Sequence, residues 1–452
     1  MSGSTLREPP LPPGASYGEL IGVVADPVLE RGTGRPWRIA FAVTLLMTLG
    51  LGICIAWLFI QGVGIWGINT PVVWGFAIAN FVWWLGIGHA GTLISALLLI
   101  TRQHWRASIN RFAEAMTLFA AAIAGLFPIL HLGRPYRFYW LVPYPNTMEV
   151  WPQWRSALVW DFAAISTYII FSLLFWYWGL IPDLATMRDR ARSRAARYAY
   201  GVLSMGWRGS ARHWHRHDAL YRAMAALAVP LVVSVHSVVG MDFAASLMPG
   251  WQETIFPPYF VIGAMFSGFA MVVTLAILLR RGLGLEKVIT PRHFDAMAKI
   301  VLAGSVAMAI SYTTEWFTGW YGGERAELTH LGHLFTGAYA PIYYGMLACN
   351  VLIPQVFWLR AARRNLVTLF LVTILINIGM WLERILIIWN TLSHGHLPSM
   401  WHLFYPTFWD WATLLCSIGL FTFLFLVFVR IFPAVAMHDL NKRLHQEKEE
   451  RA

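Results

Sequence analysis

The sequence predicts an all-α, polytopic membrane protein with about ten transmembrane helices, built as two tandem four-helix bundles with one flanking helix at each end. Three observations predict it. Of the 452 residues, 58% are hydrophobic and only 13% charged, too little charge to cover a soluble protein of this length. Ten apolar runs, at about 38–62, 72–100, 111–132, 157–181, 219–247, 259–280, 296–320, 331–359, 365–390 and 407–433, are each long enough to cross a bilayer core. Lys and Arg also alternate from loop to loop. Of the 34, 29 fall on one set of alternate segments, four (Arg134, Arg137, Arg155, Arg325) on the opposite set, and Arg384 lies within a helix. This alternation puts both termini in the cytoplasm, and an odd helix count would destroy it. It also explains the net charge of +11 without nucleic acid, because the basic residues flank apolar runs.

In chain order, residues 1–36 are polar and Pro/Gly-rich, with Glu8, Glu19, Asp26 and Glu30, and read as a cytoplasmic tail without a cleavable signal. Residues 37–66 hold the first helix, 67–250 the first four-helix bundle, 251–392 the second, 393–436 the tenth helix, and 437–452 a cytoplasmic tail. Within the first bundle, the 182–218 stretch is basic and amphipathic. It reads either as a surface helix against anionic headgroups or as a docking surface for a partner protein. The segment from Gly91 to Arg102 followed by RFAEAM is echoed by Gly268 to Arg280 followed by RHFDAM, which relates the two bundles as repeats in one orientation. Cys54, Cys349 and Cys416 are isolated in apolar runs, so they frame neither an iron–sulfur cluster nor a disulfide scaffold.

Charges inside hydrocarbon cost several kcal/mol, so each intramembrane polar residue is a functional candidate. Helix direction assigns the depth. His131, Asp161, His236, Asp242, Glu315 and the Glu383–Arg384 pair fall towards the outer face. His89, Glu114, Asp295 and Lys299 fall towards the cytoplasm, where ordinary interfacial ion pairs compete with an inner proton path as the explanation. Other bland readings stand beside the functional ones. His131 precedes a Gly-Arg-Pro turn, and Asp161 lies near enough to a helix start to act as a cap. Glu383 and Arg384 are adjacent and are not expected to face each other, which leaves Arg384 to neutralise a carboxylate elsewhere.

A haem needs two histidines on facing helices at one depth, which His131 and His236 could in principle offer; the chain is nonetheless expected to bind no haem of its own. The tract His213 to His217 lacks carboxylate or thiolate partners for a metal. The small residues of Gly86 to Gly91 lie mid-helix and suit close helix packing rather than nucleotide binding. What remains is a His, two Asp and an Arg under the aromatic residues Trp140, Tyr144, Trp151, Trp154 and Trp160, which an interfacial aromatic belt would also explain. A quinol suits this set, being a planar ring whose two hydroxyls need acceptors and whose oxidation releases two protons.

The segments WWLGIGHAGTLISALLL, NRFAEAMTLFAAAIAGLFPILHLGRP, VWDFAAISTYI, GLIPDLATMRDRA, SVHSVVGMDFAASLMPGWQETIFPPYFVIGAMFSGFAM and NIGMWLERILII resemble the polysulfide-reductase/NrfD-type family of quinone-reactive membrane subunits. Within it they are most similar to the branch found in alternative complex III. The resemblance implies ten helices with two four-helix bundles in a bacterial cytoplasmic membrane. It implies oxidation of menaquinol, or a similar quinol, on the periplasmic side at His131, Asp161, Asp242 and Arg384. Electrons would pass to an iron–sulfur subunit and on to multihaem c-type cytochrome subunits. A second NrfD-like subunit, small membrane subunits and lipids complete the implied partners. Proton translocation is a further implication, with His89, Glu114, His236, Asp295, Lys299 and Glu315 as path residues. Repeats with buried charges also suit an ion or solute transporter. The charge count makes one direct prediction. Alkaline phosphatase fused within residues 245–255 should be active, and the same enzyme fused within 204–210 or after residue 445 should be inactive, as read by colour on a chromogenic substrate.

Overall fold

A computed structural model describes residues 16–30, 32–142 and 154–449. Among these residues the secondary structure is helical, and ten helices are long and apolar enough to cross a membrane. In order the helices are α1 (Tyr17–Leu29), α2 (Arg35–Gln61), α3 (Gly75–Ile100), α4 (Asn110–His131), α5 (Ala157–Arg190), α6 (Arg194–Leu203), α7 (Ala211–Ala244), α8 (Phe256–Leu283) and α9 (Pro291–Gly322). Then follow α10 (Arg325–Thr336), α11 (Ala340–Leu347), α12 (Arg360–Arg364), α13 (Leu366–Ser393), α14 (Phe408–Ile431) and α15 (Met437–Glu449).

Helices α3, α4, α5 and α7 close one ring of neighbours. A second ring comprises α8, α9, α13 and the segment that runs from α11 to Trp358. The rings join where α8 and α13 pack on α3 and where α7 packs on α8. Helices α2 and α14 pair with each other, and α14 leans on α4 and α3. Close approach follows from small residues. A Cβ on Gly91 would fall onto the Ala113 carbonyl of α4, and one on Gly268 of α8 would fall onto Ala90 of α3.

Several expectations change. The terminal segments are more than tails: α1 buries Leu20, Val24 and Ala25 and packs on α15, α14 and α5. The eighth apolar run is broken. Helix α10 ends at Gly337, α11 restarts with Pro341 in its first turn, a π-turn spans Ala348–Leu352, and a 3-10 segment carries Pro354. Both prolines lack an N–H to donate, so a continuous ladder of backbone bonds cannot form there. The 182–218 stretch is divided among the end of α5, the short α6 and the start of α7, with Met205 and Gly206 in left-handed turns between the last two.

The glycine contacts can be tested. Gly91→Ala should lower stability by about 1–3 kcal/mol through overpacking, seen as a lower unfolding midpoint of the detergent-solubilised protein. Gly52→Ala on α2, where a Cβ meets no atom within 4 Å, should leave the midpoint unchanged.

Candidate functional site: an apolar cavity with three unpartnered polar atoms

Helix α4 ends at His131 because Gly133 takes a left-handed conformation (φ 73°) and Pro135 opens a 3-10 turn. Asp161 lies just past the first turn of α5, and Asp242 near the far end of α7. These three side chains share one cavity of about 110 Å³, walled by Trp74, Ile78, Phe81 and Phe243. The two carboxyl groups interact with each other. The cap alternative for Asp161 is not realised, since the N-cap position of α5 is Ser156. His131 Nδ1, Asp161 Oδ1 and Asp242 Oδ1 are all buried without a hydrogen-bond partner. A buried acceptor left unmet costs about 1–3 kcal/mol, and three such atoms converge on one space. His131 stacks on Trp66, with ring centroids 6.2 Å apart.

The aromatic cover differs from expectation. Tyr144 and Trp151 lie outside the described residues, and Trp140 and Trp154 are exposed. The walls come instead from α3 and its approach, where residues 74, 78, 81 and 82 recur at helical spacing. That stripe is present in the sequence, but an all-apolar helix around it leaves nothing to single it out.

Arg384 does not line this cavity. Its guanidinium sits 4.1 Å from the Phe260 ring centroid, and Phe260 packs against Phe243, the cavity wall, at 5.3 Å. Contrary to expectation Arg384 pairs with its neighbour Glu383, Nη1 to Oε1 at 3.1 Å. Adjacent residues leave a helix about 100° apart, but in a buried setting the long Arg side chain folds back to the nearest opposite charge. Glu383 also accepts hydrogen bonds from Tyr312 Oη and from Asn350 Nδ2. With Glu315 it lines a small second cavity in the second ring. Between α7 and α8, burial and the nearby Glu327 carboxyl push Glu253 above the usual carboxylate range.

His89 and His236, expected at different depths, are in contact, with their Nδ1 atoms 3.2 Å apart. Depth counted from run boundaries misleads here because the ends of α3 and α7 lie at different levels. The His89 ring stacks on Tyr168 at 4.3 Å. Below it follow the hydroxyls of Thr117, Thr92 and Ser172 and then Glu114, which accepts from Ser95 and from Tyr221 Oη and lies 3.3 Å from Arg111. Arg111 also pairs with Asp183 at 2.8 Å, and Arg106 with Asp439 at 2.6 Å. Against the opposing effect of burial, Arg106 holds the Asp439 carboxyl below its ordinary range. Sequence reasoning misses Asp183, Tyr221 and Asp439; the Arg111–Glu114 spacing of three is the available signal. Asp295 lies apart, in the second ring, and pairs with Lys299 at 2.8 Å and Arg363 at 2.9 Å.

The fold and these polar centres define a class: a polytopic helical membrane protein with titratable groups in its interior. The chain belongs to the NrfD (polysulphide reductase) family, whose pattern matches residues 65–394. That span starts just ahead of α3 and ends at the close of α13, so it holds both rings and leaves α2 and α14 outside. A putative dimethyl sulfoxide reductase membrane subunit of Halobacterium salinarum is 31% identical over 260 residues, 56% of this chain and 54% of that protein. A selenate reductase subunit of Mesobacillus selenatarsenatis is 22% identical over 224 residues, 48% of this chain and 50% of that protein. The chain spans about half the length of the curated relatives it matches.

The buried ion pair gives a stability test. Arg384→Met should destabilise by roughly 3–5 kcal/mol, because it strands the Glu383 charge. The Glu383→Gln/Arg384→Met double variant should recover much of that loss in the same thermal measurement.

Proposed function

We propose that the chain is the quinol-oxidising membrane subunit of an electron-transfer complex, with the His131–Asp161–Asp242 cavity as the quinol site. The observation that carries this reading is the convergence of three unpartnered polar atoms on an apolar, aromatic-walled space. A quinol ring is flat and apolar and suits Trp74, Phe81 and Phe243. Its two hydroxyls supply donors for two of the three unpartnered atoms, His131 Nδ1 and the carboxyl oxygens of Asp161 and Asp242. Oxidation gives the quinone, two electrons and two protons. His131 and the carboxyl pair take the protons as general bases. The electrons leave to an acceptor in a partner chain, an iron–sulfur subunit. Arg384, behind the Phe243–Phe260 wall, acts at most through its field.

The polar column from His236 and His89 through Tyr168, Thr92 and Ser172 to Glu114, Arg111 and Asp183 offers a route for protons across the first ring. Glu315, with Asp295 and Lys299, belongs to the second ring and would serve a separate route. For the assembly, the segment resemblance favours alternative complex III, with multihaem c-type cytochrome subunits, a second NrfD-like subunit and small membrane subunits. Its place would be a bacterial cytoplasmic membrane, both termini inside, with menaquinol the expected donor. The relatives named as reductase subunits favour a second reading, a reductase complex fed by the same quinol site. Copurified c-type haem would support the first, and copurified molybdenum the second.

In the intact complex, His131→Ala and Asp242→Asn should each lower quinol-dependent reduction of the partner centres by about 100-fold or more while every subunit is retained. Turnover at the normal rate in both variants would overturn the site assignment. Solute flux through the isolated chain in liposomes, with no redox partner, would point to a transporter instead.

A further inference from the structure

Helix α6 carries a feature that the quinol site does not use. It folds back along α5 and is tied at two points. Tyr177 Oη of α5 donates to the Leu203 carbonyl at 2.7 Å, and Tyr200 Oη donates to the Ile431 carbonyl at the end of α14 at 2.8 Å. Counting about 20 residues of membrane-crossing helix from Ala157 reaches the level of Tyr177. The far end of α6 is therefore held where hydrocarbon gives way to headgroups, on the side of the membrane where the loop arginines collect.

The outward face of α6 is graded along its length. Arg194, Tyr198 and Val202 follow one another at helical spacing, with Arg197 one turn from Arg194, and Met205 lies in the turn just past the helix end. Tyr198, Val202 and Met205 are 77%, 60% and 69% exposed. Arg194, Arg197, Tyr198, Gly201 and Val202 line an open groove of about 450 Å³. Charge lies at its upper end and apolar surface at the lower, membrane-facing end. Among the described residues Arg190 and Arg192 pair with Asp26 and Glu30, whereas Arg194 and Arg197 have no carboxylate partner. Arg197 spends one guanidinium nitrogen on the Ala191 carbonyl, at 3.0 Å.

We propose that this groove binds one anionic glycerophospholipid of the basic-side leaflet. Its phosphodiester lies between Arg194 and Arg197, its glycerol backbone beside Tyr198, and one acyl chain runs over Gly201, Val202 and Met205. Two guanidiniums match a phosphate by charge and hydrogen-bond geometry. The apolar lower half commits the site to a lipid rather than a soluble phosphate, since free phosphate leaves Val202 and Met205 uncovered. The depth set by the Tyr177 tie commits it to a lipid rather than an aqueous protein partner. The proposal is independent of the quinol site.

The test uses the purified complex, stripped of lipid in detergent and titrated with phosphatidylglycerol, with phosphatidylcholine of the same chains, or with inorganic phosphate, and read by native mass spectrometry. Phosphatidylglycerol should bind in preference to phosphatidylcholine, and Arg194→Gln/Arg197→Gln should weaken it about tenfold while leaving phosphatidylcholine unchanged. Arg208→Gln, outside the groove, should have no effect. Equal phosphatidylglycerol binding by wild type and the double variant overturns the proposal. So does full competition by inorganic phosphate, which would mean an ion site. Failure of wild type to bind phosphatidylglycerol because another protein covers α6 overturns it in favour of a protein interface.

Discussion

The whole interior depends on α3 having no lipid-facing side. It is buried from Gly75 to Ala96 without a break, with α4, α7, α8 and α13 packed around it. In a membrane the hydrophobic effect gives helices little reason to associate, so close packing and interhelical hydrogen bonds must hold them together. Gly88 and Gly91 let α4 approach until Thr117 Oγ1 bonds the Gly88 carbonyl at 2.6 Å and takes the Thr92 N–H at 3.0 Å. Trp83 and Trp84 of the same helix donate to the Asn377 carbonyl of α13 and to Ser417 of α14. One helix therefore sets the registers of both rings and of the flanking pair, and it carries His89 to the molecule's centre.

That burial separates the polar groups into two kinds. Near the start of α4 the charges are paired: Arg111 lies between Glu114 and Asp183, and Arg106 meets Asp439 from the terminal helix. Such pairs are expensive to desolvate and strongly destabilising to break, so whatever else these groups do they also fix the basic end of the bundle, α15 included. Where α4 ends and α5 begins the chemistry is opposite. His131, Asp161 and Asp242 face an open cavity with capacity to spare. Unmet polar atoms also occur elsewhere in this ring, at His89 and His236, and what sets the three apart is that their residues line one cavity.

Much of this is legible in the sequence for physical reasons. Spanning length is a constraint on single segments, so the ten apolar runs can be read one at a time. The three cavity residues are legible together because each is an end-of-helix polar group on the same side. What the sequence hides depends on relations between segments. The contact between His89 and His236 turns on how far α3 and α7 slide past each other, which no run boundary reports. The partnership of Asp183 with Arg111 joins residues 72 apart in the chain. The break in the eighth run is signalled by Gly337, Pro341 and Pro354, yet apolar content alone carries a counting window across it.

Arg384 shows how neighbours change the meaning of a buried charge. Alone, a guanidinium two aromatic rings from a pair of carboxyls would act on them over a long range, since little solvent intervenes to screen it. Paired with Glu383 at 3.1 Å it presents a dipole instead, whose influence falls off more steeply with distance than that of a lone charge. The Phe243–Phe260 contact keeps the two sites from merging while leaving them within electrostatic reach. The charge balance of the cavity must then be settled chiefly by its own members, the carboxyl pair and His131. A negative charge developing there would find its nearest compensation in the imidazole, which ties proton uptake at His131 to the state of the two aspartates across the same small space.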